Sequence, residues 1–150
     1  MNQSLDEMVQ AIAETVFEGL AFVFVLTPEE ASPANGTMVS ASVGFEGEYN
    51  GTVAISVSEP LLSAIAANML GASDAAGLLP AQLEDALKEL ANVLGGPIVA
   101  AMAGSRPVPR LLPPKFVGCS PLPGEPAAKT QMFFDDGEAR VTLFLANGRI

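Results

Sequence analysis

The chain has 150 residues, 49% of them apolar, and carries 17 acidic against 7 basic side chains for a net charge of −10. That apolar share is ample for the core of one domain, and the acidic balance argues against nucleic acid and against an anionic membrane surface, both of which are bound through clustered Lys and Arg. With one cysteine and no histidine, a disulfide framework, a zinc site, a Cys–His pair and a Ser–His–Asp triad are excluded within the chain.

Ser4, with Glu7 three residues on, has the form of a capping box, and Leu5, Met8, Val9, Ile12, Val16 and Leu20 follow at helical spacing. They predict a first amphipathic helix that ends near Gly19. Residues 22–26, aromatic and β-branched, read as a strand or extended segment leaving it, and residues 27–36 as a loop. The apolar run over 19–26 is too short to span a bilayer, and the acidic opening MNQSLDEM lacks the basic region of a secretory signal. A cytoplasmic location is expected.

Residues 38–45 and 52–58 alternate with period two around the turn GEYNG, which is a hairpin signal whose polar face is free to be solvated. Glu59-Pro60 then opens a short helix with Leu61, Leu62, Ile65, Met69 and Leu70 as its apolar positions, and Gly71 ends it. A small-residue loop leads to a long helix over residues 80–102, in which Pro97 predicts a bend or break at Gly95-Gly96-Pro97. After Gly104 the stretch SRPVPRLLPPKF must be extended and packed against the domain. Residues 129–134 and 138–146 are two further strands joined by Asp135-Asp136-Gly137, a turn without the ligand repeat of a calcium loop. The order describes an α+β domain with an antiparallel sheet covered by helices.

The long helix carries the most informative pattern. At about 100° per residue, Asp85, Glu89 and Asn92 fall within roughly 60° of one another, while Leu83, Leu87, Leu90 and Leu94 cluster on the opposite side. Gly96 continues the polar stripe one turn below Asn92, where a bare backbone lets another surface approach. By itself Glu-x-x-Asn carries little, since ordinary residue usage produces it in roughly a third of chains this long, and a solvated helix face explains Glu84, Asp85 and Lys88 equally well. Three features add to it: the leucines turn the stripe outward, Gly-Gly-Pro follows directly, and a Pro-Pro pair stands about twenty residues on.

With Asp85, three residues, Glu89, two residues, Asn92 and then Pro113-Pro114, the chain resembles the CheC and CheX family of chemotaxis phosphatases, although the prolines stand slightly closer to Asn92 than in the family's spacing. The order of elements, from the first helix with Glu14-Thr15-Val16-Phe17 to the last hairpin, is similar as well. A single copy of the motif is more like CheX than like the two-site CheC proteins. The resemblance implies a CheC/CheX-like fold, a homodimer, and a phosphatase for the aspartyl phosphate of a CheY-like response regulator. The regulator would bring its own Mg2+ and lysine, so that the chain needs no cofactor of its own. Asn92 would orient the attacking water, Glu89 would accept from the regulator's lysine, and Asp85 and Gly96 would belong to the docking surface.

Other chemistries weigh less. Glu89 as a general base is a rival within the same site, and Glu89 with Asp85 as a glycosidase pair lacks sugar-binding aromatics, Trp being absent and Tyr single. Gly95-Gly96 lies within a helix rather than ahead of one, unlike a phosphate loop. Cys119 is expected to be a small buried or half-buried residue, and Met8, Met38, Met69, Met102 and Met132 to belong to the core. A non-catalytic adaptor or flagellar-switch-type module keeps the fold and the regulator-binding face without turnover, and is the alternative from another class.

Overall fold

The computed structural model describes residues 2–20, 26, 37–73, 76–122 and 124–146. The first helix, α1 (Asn2–Leu20), is already formed at Asn2, so Ser4 lies inside it rather than capping it, and it runs one residue past Gly19. The extended segment and loop expected over 22–36 lie outside the described residues except for Leu26, whose N–H donates to Phe133 O at 2.7 Å.

The hairpin forms as expected from β1 (Met38–Glu46) and β2 (Gly51–Ser58). Helix α2 (Glu59–Leu70) follows without a loop, with Pro60 in its first turn, and it stops at Gly71, which takes φ 70°. A left-handed residue at that position suits glycine, which has no β-carbon to clash. Helix α3 (Pro80–Ala103) comes next, and the proline-rich stretch forms two short strands, β3 (Arg110–Leu111) and β4 (Lys115–Gly118). The chain closes with β5 (Ala128–Phe134) and β6 (Gly137–Leu145).

The six described strands join one antiparallel sheet in the order β3-β1-β2-β6-β5, with β4 also paired to β1. Pro113 and Pro114 explain why the edge beside β1 is split in two, because a proline has no N–H to give to a ladder. Between the two pieces Leu112 N–H still donates to Gly44 O at 2.8 Å.

The strand alternation separates the two faces of the sheet. Val39, Ala41, Val43, Val53, Ile55, Val57, Val141 and Leu143 point to one face and are buried with Val9, Phe17, Leu87, Leu90, Leu94 and Ile98 of the helices. Helix α1 lies over β5 and β6, with Phe17 and Phe134 ring centroids 5.0 Å apart, while α3 lies over β1 and β2. The opposite face carries Ser40, Ser42 and Ser56. It is less solvated than its polarity suggests, since Ser40 is buried and its hydroxyl pairs with that of Ser56 at 2.6 Å.

Several expectations are corrected. Helix α3 continues through Gly95-Gly96-Pro97 without a break. Leu94 before the proline and Ile98 and Val99 after it are all fully buried, so apolar packing on both sides holds the helix together across the missing hydrogen bond. Cys119 is exposed. Met102 and Met132 are buried in the core and Met8 and Met69 pack partly buried against it, as expected, whereas Met38 is partly buried without joining it.

Candidate functional site

Helix α3 starts at Pro80, and its first turn is tied by Gln82, whose side-chain oxygen accepts from Leu79 N–H at 2.8 Å. From there the helix keeps one face in the core. Leu87, Leu90 and Leu94 are fully buried and Leu83 partly so, while Asp85 and Glu89 are exposed and Asn92 and Gly96 half-buried. The stripe therefore faces outward as its spacing predicts. Its backbone is held by the sheet beneath it, which makes the stripe a rigid platform rather than a mobile loop.

The three polar side chains differ in what they touch. Asp85 Oδ1 lies 3.6 Å from Lys88 Nζ, a pair with both partners open to solvent. Glu89 and Asn92 have neither a hydrogen bond nor an ion pair among the described residues. One turn apart, they lie about 4.5 Å from each other along the helix axis. They offer a free carboxylate and a free amide side by side. The carboxylate can only accept hydrogen bonds when ionised, whereas the amide can accept through oxygen and donate through nitrogen.

The two glycines below Asn92 have separate roles. A β-carbon on Gly95 would stand 2.6 Å from Val43 Cγ1, so the helix reaches β1 only because that position is bare. On Gly96 the nearest atom to such a carbon would be Leu111 Cδ1 at 4.0 Å. Nothing among the described residues requires glycine there. Leu111 lies two residues before Pro113, and its side chain brings the proline segment to the Gly95-Gly96 end of the stripe.

At the other end a cleft of about 490 Å³ opens among the helices, lined by Gly19 of α1, Met69 and Leu70 of α2, and Gln82, Asp85, Ala86 and Glu89 of α3. Leu70 is expected on the apolar face of α2. In the structure Leu61, Leu62 and Ile65 are buried and Leu70 is 52% exposed. The signal was available, since at about 100° per residue Leu70 stands about 180° around the helix from Leu61.

Long enough and apolar enough to cross a membrane by length and composition, α3 nonetheless has 56% of its most apolar window buried inside the protein. It is the central core helix of an α+β fold, with an outward polar stripe.

The fold defines the class of protein, and the sequence profile then gives the family. A three-helix layer on one face of an antiparallel sheet is also the fold of a CheX chemotaxis protein from Vibrio vulnificus, which is 20% identical, with 97% of this chain and 98% of that chain aligned at a TM-score of 0.70. A CheC-like superfamily protein from Shewanella sp. PV-4 is 19% identical over 97% of this chain and 99% of its own, with a TM-score of 0.71. A chain in a CheX–CheY–BeF3–Mg2+ complex from Borrelia burgdorferi is 16% identical over 93% and 96%, with a TM-score of 0.63. At such identities the likeness is one of fold. No curated protein matches in sequence. The family profile described as "Chemotaxis phosphatase CheX" matches residues 39–134, from β1 to the end of β5 and including all of α3. The chain belongs to the CheX family.

Proposed function

We propose that this chain dephosphorylates the aspartyl phosphate of a CheY-like response regulator, with Asn92 orienting the attacking water and Glu89 docking the regulator's lysine. The observation that carries the reading is the pair itself: a carboxylate and an amide, one turn apart and without side-chain partners among the described residues, on the outward face of a helix fixed by the core. Membership of the CheX family supports it, as does a structural relative in complex with CheY, BeF3 and Mg2+.

Asn92 cannot take a proton at neutral pH, so its part is positional. Its side-chain oxygen would accept a hydrogen bond from water and aim the water oxygen at phosphorus, as a glutamine does in GTPases. A new phosphorus–oxygen bond forms as the acyl phosphate bond breaks, returning the regulator's carboxylate and releasing inorganic phosphate. Magnesium and lysine brought by the regulator would supply charge stabilisation for the transferring group. Glu89 would hold that lysine by a charge-assisted hydrogen bond and so set the register of the two proteins. Asp85 and Gly96 would complete the docking surface, the first by its charge and the second by clearance. The protein would act in the cytoplasm as a homodimer.

The test is the decay of phosphorylated regulator with wild type, Asn92→Ala and Glu89→Ala. Loss of a positioned catalytic group costs on the order of a hundredfold in rate, and Asn92→Ala should show it. Decay as fast as wild type with Asn92→Ala would remove water positioning by this residue. If wild type binds the regulator and does not accelerate decay, the chain is an adaptor.

A further inference from the structure

The cleft between α2 and α3 is continuous with the polar stripe and shares Glu89 with it. Asp85 and Glu89 stand on its rim, and Met69, Leu70, Ala86 and Gly19 give it carbon walls. Its volume of about 490 Å³ is in the range of pockets that enclose ligand groups, about 300–1,000 Å³. Leu70, 52% exposed, is one of three large hydrophobic residues left open to solvent among those described. An exposed leucine on the wall of a concave site beside two carboxylates is a different environment from a leucine scattered on a convex surface.

We infer that this cleft seats an apolar side chain of the regulator, carried next to the basic group that meets Glu89. The inference rests on the docking role of Glu89 and extends it. Charge selects the occupant: Asp85 shares its charge with Lys88, and the open Glu89 carboxylate repels an acidic segment and attracts one in which a cationic side chain flanks the apolar anchor. The carbon walls add what the rim lacks, because an exposed ion pair contributes little affinity whereas burying a large apolar side chain contributes much more. Selectivity among CheY-like regulators would then come from the shape of this cleft.

Two substitutions alter the cleft in opposite ways. Leu70→Ser removes part of a wall at a position already half in solvent. Gly19→Leu fills the space from the third side, at a position where a β-carbon meets nothing within 4 Å. Binding is measured by titrating each full-length variant into a CheY-like regulator loaded with beryllofluoride and Mg2+, and folding is checked by thermal melting. Each variant should weaken binding by about tenfold, the order expected for losing most of one buried aliphatic contact. Wild-type affinity in Leu70→Ser overturns the inference, and if that variant fails to fold, wild-type affinity in Gly19→Leu overturns it instead. Affinity and turnover separate this inference from the phosphatase reading. A wild-type protein that binds through the cleft without accelerating dephosphorylation removes only that reading, and cleft variants that bind normally remove only the cleft.

Discussion

Gly95 of α3 sits so close to Val43 of β1 that a β-carbon would come within 2.6 Å of Val43 Cγ1, whereas one on Gly96 would meet only Leu111 Cδ1 at 4.0 Å. Adjacent in sequence, the two glycines answer to different constraints. Gly95→Ala should destabilise by about 1–3 kcal/mol through overpacking against the sheet. Gly96→Ala should be neutral or stabilising by up to about 1 kcal/mol, the helix-propensity gain over glycine. Urea denaturation of both variants checks the contrast, and equal losses would refute it.

Glu89 has no side-chain partner among the described residues, so its substitution should test the proposed docking role with little effect on stability. Glu89→Ala should weaken regulator binding by about tenfold, or 1.4 kcal/mol. Glu89→Lys should weaken it by roughly a further tenfold, because a lysine facing a lysine adds repulsion to the lost hydrogen bond. Titration with a beryllofluoride-loaded regulator measures both. Equal affinities for the two variants would place Glu89 away from any cation.

Tyr49 is 9% exposed and its hydroxyl is buried without a hydrogen-bond partner among the described residues. Leaving such a group unpaired costs about 1–3 kcal/mol. Tyr49→Phe should therefore stabilise by about 1 kcal/mol. The guanidinium of Arg106, 5.2 Å from the ring centroid, keeps an aromatic face to stack on. A lower midpoint in chemical denaturation would show that the hydroxyl is satisfied by solvent.

Glu138, only 7% exposed, accepts from Gln131 Nε2 at 2.5 Å and from Arg140 Nε at 3.1 Å, while its own N–H donates to Ser58 Oγ at 3.2 Å. These bonds tie β5 and β6 to the end of β2. Glu138→Ala should cost about 1–2 kcal/mol by leaving two donors without their acceptor, discounted because Arg140 is half in solvent. Glu138→Gln retains one acceptor oxygen and should cost less, which a denaturation series would resolve.

Pro97 is exposed and interrupts the hydrogen bonding of a helix that nevertheless continues to Ala103. An interior proline costs about 3 kcal/mol or more relative to a helix former. Pro97→Ala restores an N–H able to reach Val93 O and should raise stability by about 1–3 kcal/mol in thermal or urea unfolding. No gain would mean that the proline is relieved by a local distortion of the helix.

Periodicity by itself determined most of the architecture. Alternation gave the β1–β2 hairpin and the last pair of strands, and the 3.6-residue repeat gave all three helices and turned Asp85, Glu89 and Asn92 outward. Such patterns report which side of an element meets water, and that requirement is local. What lay between elements was decided elsewhere. The sequence could say that SRPVPRLLPPKF was extended, but its division into two edge strands depended on the unpaired edge of β1, a neighbour some seventy residues earlier in the chain. The continuity of α3 through Pro97 depended on apolar contacts before and after it, which a local rule about proline cannot weigh. Gly95 and Gly96 look alike in sequence, and only the position of Val43 separates them. The cleft beside Glu89 likewise exists because the end of α1 and Leu70 of α2 come to rest against α3. Hydrophobic burial is non-directional, so a sequence can specify that these faces pack, while the particular gap left between them is fixed only when all three helices settle on one sheet.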